Sequence, residues 1–467
     1  MSFTFSAVNL GCNKNMVDLE FAIGELLKLQ GKYDVTYFES PEEADYVIVN
    51  TCWFLSSSRL ESENTVRYFD RLWKKIIVMG CYIPVENDNF FSSLKHLHAL
   101  VPFINYSNVE ELVTGKKSSS FPKPTLNLAW LKKAKSMVAK DDGQEKLENY
   151  LETVEQKKWE NAKAFIWKGN ETRAYFNAPY GYEFLKIAEG CDNNCSFCII
   201  PQIRGKQKSR DIESILQEVQ TMVASGIKEI QILSQDTTRY GTDIYKKPML
   251  FELLEKIDAL EGDFQFKVYY LYPDVITLTH LKKLKALKKF IPYFDIPLQH
   301  IAPNVLKRMG RFYDDVHIIK LLDFIRSEFP ESFIHTNFII WFPGETESDF
   351  KSLVAFIEKY RFESISFFEY HDEPLAASSK LDSKVSHNIA MRRLKELDAV
   401  VDKVYKNHKK EKKGKQLIWY IHDVQGKTFL IREVHQAPEI DEYYSVSSKN
   451  ILQWEMQLWE KVIFQIS

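Results

Sequence analysis

Residues 189–200 read EGCDNNCSFCII, and they bring Cys191, Cys195 and Cys198 together in a chain of 467 residues that has six cysteines in all. The triplet follows an apolar run, YEFLKIAEG, with the continuous hydrophobicity of a buried parallel strand. A strand that delivers three thiols into the turn at its carboxyl end suits an α/β architecture, where that edge of the sheet carries functional groups. C-x3-C-x2-C supplies three thiolates, whereas a structural zinc site normally closes with four protein ligands. A cubane iron–sulfur cluster held by three cysteines keeps one iron free of protein, open to an amine and a carboxylate. A zinc site completed by a distant histidine is the other reading of the same spacing.

The remaining cysteines lie upstream. FTFSAVNL, ADYVIVN and KKIIVMG each read as a buried strand, and each ends at a cysteine: Cys12, Cys52 and Cys81. Their common place at strand carboxyl ends predicts that they converge on one edge of a parallel sheet. Three unrelated core cysteines are the bland alternative. Residues 1–112 are thus expected to form an N-terminal parallel α/β domain. Residues 113–178, with GKKSSSFPKP and a long run of mixed charge at helical spacing, read as a charged insertion or linker. Over 179–412 strand-like runs (KEIQILSQD, FKVYYLYP, YFDIPLQ, HTNFIIWFPG, SISFFEYH) alternate with amphipathic helices, which predicts a β/α partial barrel of TIM-like kind. Residues 413–467 read as short strands of a small β-barrel.

Composition narrows the setting. The apolar and charged fractions, 45% and 27%, are those of a globular protein, and its length implies more than one domain. The formal net charge of −2 argues mildly against duplex nucleic acid as a partner. No basic leader precedes an apolar run, and no span approaches eighteen uncharged apolar residues, so a cytoplasmic protein without membrane insertion is expected. Clustered thiols in that compartment are metal ligands or redox groups more often than disulfides.

The motif that holds Cys191, Cys195 and Cys198 resembles the signature of the radical S-adenosylmethionine (SAM) enzymes. In that superfamily the open iron of a [4Fe–4S] cluster binds SAM, and the reduced cluster cleaves it to a 5′-deoxyadenosyl radical. LGCNKNMVDLE, VIVNTCWF and VMGC are similar to the three N-terminal cysteine motifs of the methylthiotransferases. There the cysteines hold a second such cluster, which implies that all six cysteines here are cluster ligands. KIAEGCDNNCSFCIIPQIRGKQKSR, LSQDTTRYGTD, YFDIPLQHIAPNVLKRMGR and TNFIIWFPGETESDF also resemble that family, its RimO branch most closely. The C-terminal segment resembles a TRAM domain, with Ala437-Pro438-Glu439-Ile440-Asp441 as its recognisable core. In this sequence Asn13 stands where the family usually has proline.

The resemblance implies an enzyme that methylthiolates the β-carbon of an aspartate in ribosomal protein uS12. It also implies an electron donor such as flavodoxin or ferredoxin, and a sulfur donor. The competing readings are a tRNA adenosine methylthiotransferase of the MiaB branch, and a cluster- or zinc-binding interaction protein without catalysis. Around SAM the expected residues are Phe197 near the adenine and Gln235 and Asp236 at a strand end. Gln299 and His300 occupy the same location further on, Arg308 and Arg311 could face the carboxylate, and Gly344 lies in the turn PGET. A lone histidine such as His300 is more often a structural hydrogen-bonder than a proton carrier, and both arginines read equally as surface ion pairs.

Overall fold

Five short runs with apolar centres build the N-terminal sheet of the computed structural model: β1 (Ser2–Asn9), β2 (Asp34–Tyr37), β3 (Tyr46–Thr51), β4 (Lys75–Gly80) and β5 (Leu97–Val101). All pair in parallel in the order β2-β1-β3-β4-β5. Parallel neighbours need crossovers, and α1 (Asn13–Leu27) and α2 (Ser56–Arg71) provide two of them. The helices cover opposite faces. Leu19, Ile23 and Leu26 pack on Phe5 and Ile48, whereas Val66 and Phe69 pack on Val47 and Val78. The structure describes residues 2–83 (save 28, 31 and 32), 90–101, 125–126, 173, 175–176 and 181–413. In the C-terminal module it describes 416–425, 428–438, 440–441, 443–447 and 461–465. Most of the 113–178 segment lies outside these residues; its short strands β6 (Thr125–Leu126) and β7 (Tyr175–Phe176) pair with each other.

The central domain repeats one unit. Strands β8 (Tyr182–Lys186), β11 (Glu229–Leu233), β12 (Gln265–Val268), β13 (Phe290–Gln299), β14 (Phe333–Ile340) and β15 (Ser364–Glu369) lie side by side in chain order, all parallel. A two-stranded ribbon, β9 (Ala188–Glu189) with β10 (Lys208–Ser209), brackets the cysteine loop between β8 and β11. Within that ribbon lies the short helix α3 (Ile200–Arg204). Longer crossover helices follow the strands. Among them α4 (Ile212–Ala224) is capped by the Asp211 carboxylate, which accepts from Ser214 N–H. Ile215, Val219, Ile230, Phe266, Phe294, Phe338 and Phe350 share one core. Among the described residues β8 and β15 pair with no further strand of the sheet, so the barrel is partial, as the strand–helix alternation predicts.

Helix α1 lies against β8, where Val17 and Phe21 pack with Tyr182 and Phe184. The last module is a small antiparallel sheet of β16 (Gln416–Gln425), β17 (Thr428–Glu433), β18 (Tyr444–Ser447) and β19 (Lys461–Gln465) in the order β18-β17-β16-β19. Its Ala437 and Ile440 meet the inner barrel rather than open solvent. Ala437 packs with Tyr269, Tyr293 and Phe333, Lys267 donates to Gln436 O at 2.6 Å, and Arg432 pairs with Glu229 at 2.5 Å. Glu229 begins β11, so this module closes the amino-terminal end of the barrel. Among the described residues no helix is long and apolar enough to cross a membrane.

Candidate functional site

The carboxyl ends of β1, β3 and β4 carry Cys12, Cys52 and Cys81 to one place. Asn15 sits at its centre: Cys12 Sγ and Cys81 Sγ both approach Asn15 Oδ1, at 3.6 and 3.8 Å. Its amide nitrogen donates to Thr51 O at 3.1 Å, which ties α1 to the end of β3. Gly80 makes the turn into Cys81 possible. Its φ is +101°, and a Cβ there would fall 2.4 Å from Thr51 O. Cys52 is fixed through Ser62, which accepts from its N–H and donates to its carbonyl, both at 3.0 Å.

The second triplet leaves β9 through Gly190, where φ is +75° and a Cβ would meet Lys206 O at 2.2 Å. Cys191 N–H then donates to Gly205 O at 3.1 Å, and Ser196 N–H to Met309 O at 2.9 Å, which pins the loop at both ends. Two backbone N–H groups point at sulfur: Asn193 at Cys191 Sγ and Ile200 at Cys198 Sγ, each 3.4 Å away.

Burial acts against thiolates in both triplets. It pushes Cys191 and Cys81 up to about 11, Cys198 up to about 12, and raises Cys195 and Cys52. Cys12 goes the other way. Burial would raise it, but the cations of Lys14 and Arg204 prevail. Cys12 is open to solvent yet closely surrounded by protein, as a side chain lining a recess is. Among the described residues no three His, Cys, Asp or Glu side chains close around one point as a single metal ion requires. A cluster seats each thiolate on a separate iron and so needs a wider cradle. Three thiols gathered at each triplet, N–H donors aimed at Cys191 and Cys198, and burial that a cationic centre would offset fit such a group.

One side chain joins the two places. Arg204, at the end of α3 just past Cys198, donates from Nη2 to Cys81 Sγ (3.4 Å) and Asn15 Oδ1 (2.5 Å). From Nη1 it donates to Asp18 (3.0 Å) and to both oxygens of Glu189 (2.8 and 2.9 Å). Lys186 completes the group through Asp18 and Glu189. Burial alone would raise the Glu189 carboxyl; Lys186 and Arg204 hold it well below the usual carboxylate range instead.

The structure distributes the other expected residues unevenly. Gln235 donates to Glu189 Oε1 at 2.7 Å, beside the second triplet. Asp236, raised by burial, accepts from Asn193 at 2.6 Å and Thr238 at 2.5 Å. Arg311 lies over Tyr272 (4.3 Å) and Phe197 (5.8 Å), and its Nε has no partner among the described residues. A cavity of about 240 Å³ opens there, lined by Asp192, Cys195, Arg239, Tyr272, Asp274 and Arg311. Gln299, at φ +64° on the end of β13, donates to Asn337 Oδ1 at 2.7 Å.

His300 is fully buried and kept neutral, its range lowered to about 4 by that burial. Its Nδ1 accepts from Ala302 N–H at 3.0 Å. Arg308 supports the PGET turn: Nε donates to Pro343 O at 2.8 Å and Nη2 to Asp382 at 2.6 Å, directly beneath Gly344. Sequence reading missed Lys14, Asp18, Lys186, Glu189, Arg204, Tyr270 and Tyr272. All but Tyr270 and Tyr272 lie inside the cysteine motifs, and only the spacing of those motifs, not their charges, carried the signal.

Comparison with known proteins follows the same division. Residues 4–102 match the family model described as uncharacterized protein family UPF0004, and residues 185–357 match the radical SAM superfamily. Curated relatives named ribosomal protein uS12 methylthiotransferase RimO align along nearly the whole chain. The relative from Dictyoglomus thermophilum is 32% identical and covers 93% of this chain and 90% of its own. The one from Carboxydothermus hydrogenoformans is 34% identical over 95% and 93%. Among solved structures, the radical SAM methyltransferase TsrM from Kitasatospora setae, with cobalamin and a [4Fe–4S] cluster bound, superposes with a TM-score of 0.54. It is 13% identical and covers 81% of this chain and 77% of that one, a likeness of fold.

Proposed function

This chain belongs to the RimO-type ribosomal protein uS12 methylthiotransferases, and from that premise we propose that its two cysteine triplets hold two [4Fe–4S] clusters around one cavity. It is a SAM-dependent transferase that adds a methylthio group to the β-carbon of an aspartate of uS12, and it uses an iron–sulfur cluster and SAM. When bound, SAM would supply the methyl group and the radical that opens the substrate C–H bond, and the cluster at Cys12, Cys52 and Cys81 would carry the sulfur that a separate donor delivers.

The observation that carries the two-cluster reading is Arg204. Its guanidinium starts from the loop of one triplet and ends on the sulfur of the other. Cys12, Cys52 and Cys81 would hold one cluster, and Cys191, Cys195 and Cys198 the other. Arg311, buried with an Nε that has no partner among the described residues, would receive the SAM carboxylate, since a guanidinium suits planar bidentate recognition. Gln235 and Asp236 would take its polar groups, and Phe197, edge-on to Phe342, its adenine. Gln299 and the Gly344 turn would shape the cavity wall, with His300 and Arg308 holding that wall in place. Trp53, Cys81, Ile199, Ile203 and Ala376 form an apolar seal between the domains, and such a seal keeps water from a radical.

An electron donor such as flavodoxin or ferredoxin, a sulfur donor and a cytoplasmic setting complete the reading. Its test is genetic. After deletion of the gene, the aspartate-bearing peptide of uS12 should lose its methylthio mass while tRNA nucleosides keep theirs. An unchanged peptide beside a lost tRNA modification overturns it.

A further inference from the structure

Eight lysine and arginine side chains are buried among the described residues: Lys14, Arg173, Lys186, Arg204, Lys267, Arg311, Arg393 and Arg432. A buried cation is costly unless an anion faces it. Six meet that requirement inside the protein. Arg173 pairs with Glu20 and Glu218, Lys186 and Arg204 with Asp18 and Glu189, Lys267 and Arg432 with Glu229, and Arg393 with Glu345. Lys14 and Arg311 have no carboxylate partner among the described residues, and each stands beside one cysteine triplet.

The two are built alike. Arg311 lies 4.3 Å over Tyr272 next to Cys195, and the Lys14 ammonium lies 3.6 Å over the ring of Tyr270, two positions along the chain from Cys12. Tyr270 and Tyr272 come from one segment beyond β12, at the carboxyl edge of the barrel, so the two cations without a carboxylate flank the space between the triplets, each also near one thiol, Cys12 for Lys14 and Cys195 for Arg311. An aromatic face stabilises an ammonium without neutralising it, which leaves its charge for a ligand. One anion is accounted for: the carboxylate of SAM at Arg311. The reaction brings one more, the carboxylate of the aspartate itself.

We propose that Lys14 is a specificity-determining residue that holds the side-chain carboxylate of the substrate aspartate. This rests on the uS12 reading above. The reacting β-carbon is bonded directly to that carboxylate, so a cation gripping it also places the carbon between the two triplets. An amide of the same shape offers Lys14 no charge, and leaving the ammonium buried without its anion is what rejects it.

The test uses full-length, iron-loaded enzyme under anaerobic conditions, with recombinant uS12 and with uS12 carrying asparagine at the target position. Modification of uS12 by the unaltered enzyme, read by mass, comes first. Its absence overturns the function itself, whereas the remaining measurements bear on Lys14 alone. Lys14→Gln should bind uS12 at least about 30-fold more weakly and bind the asparagine form as the unaltered enzyme does, so that preference for aspartate collapses. Lys14→Arg should recover part of the preference. Iron content should be retained in both variants, since Arg204 still faces Cys12, and the charge-keeping Lys14→Arg should also keep the electron paramagnetic resonance spectrum recorded without uS12. Equal weakening toward both forms of uS12, undiminished binding of the aspartate form, or a changed spectrum with preference intact would assign Lys14 to the cluster or the fold and overturn the proposal.

Discussion

Replacing Arg204 with methionine removes five hydrogen bonds and one buried charge while keeping much of the side chain's length and apolar stem. The bonds run to Asp18, Glu189 (twice), Asn15 and Cys81. Lys186 would be left to neutralise both Asp18 and Glu189, so one negative charge remains buried without a partner. Breaking a buried pair from one side costs about 3–5 kcal/mol, and Arg204 is buried enough (8% exposed) that solvent screening removes little of this. The partners sit on different domains, so the cost falls on docking of α1 against the barrel loop. At the lower bound the docked state becomes about a hundredfold less favoured. Hydrogen exchange of the iron-loaded enzyme reads this directly, as faster exchange in α1 and in residues 199–205, with the core of β13 and β14 unaffected. Arg204→Lys keeps the charge but not the fork, and should fall between the two. Unchanged protection of α1 in the methionine variant would refute the bridging role.

Further expectations concern other parts of the molecule. Glu229 is held at about 2, against an ordinary 4.5, because Arg432 and Lys267 outweigh the burial that would raise it. Its stabilisation is therefore present above pH 4.5 and lost as pH falls toward 2, an effect of about 3 kcal/mol. The gap in denaturant midpoint between native enzyme and Glu229→Gln should close over that window, and a pH-independent gap would contradict the assignment. Gly190→Ala puts a Cβ against Lys206 O, so it should lower iron retention at the second triplet and spare the first; full retention refutes the turn's role. Arg311→Lys should weaken SAM binding by at least about tenfold, measured by anaerobic equilibrium dialysis, and unaltered affinity would remove Arg311 from the cofactor site.

What the sequence disclosed was whatever has a period or a spacing. The strands ending at Cys12, Cys52 and Cys81 were legible because parallel strands are apolar along their length and because a strand's carboxyl end is a defined place. The spacing of the cysteine motifs carried the family resemblance for a similar reason. Charge pairing was not legible: Arg204 finds Asp18 186 positions away, and Arg432 finds Glu229 203 positions away. No local pattern records such partners. FKVYYLYP reads as one strand, yet β12 stops at Val268. Asp295 takes the Tyr270 N–H at 2.9 Å, and Tyr270 turns to φ +56°, which aims the segment at the site. Ala437–Asp441 was visible as a motif, but the packing of Ala437 inside the barrel depends on Tyr293 and Phe333, far off in sequence.

The central claim, one cluster on each triplet, reduces to a count of iron and sulfide per chain after anaerobic reconstitution. The unaltered enzyme should hold about eight irons and about eight sulfides. Triple alanine variants at Cys12, Cys52 and Cys81, or at Cys191, Cys195 and Cys198, should each keep about four, with distinct resonance spectra that sum to that of the parent. About four irons in the unaltered enzyme, or loss of all iron from either variant, would contradict it.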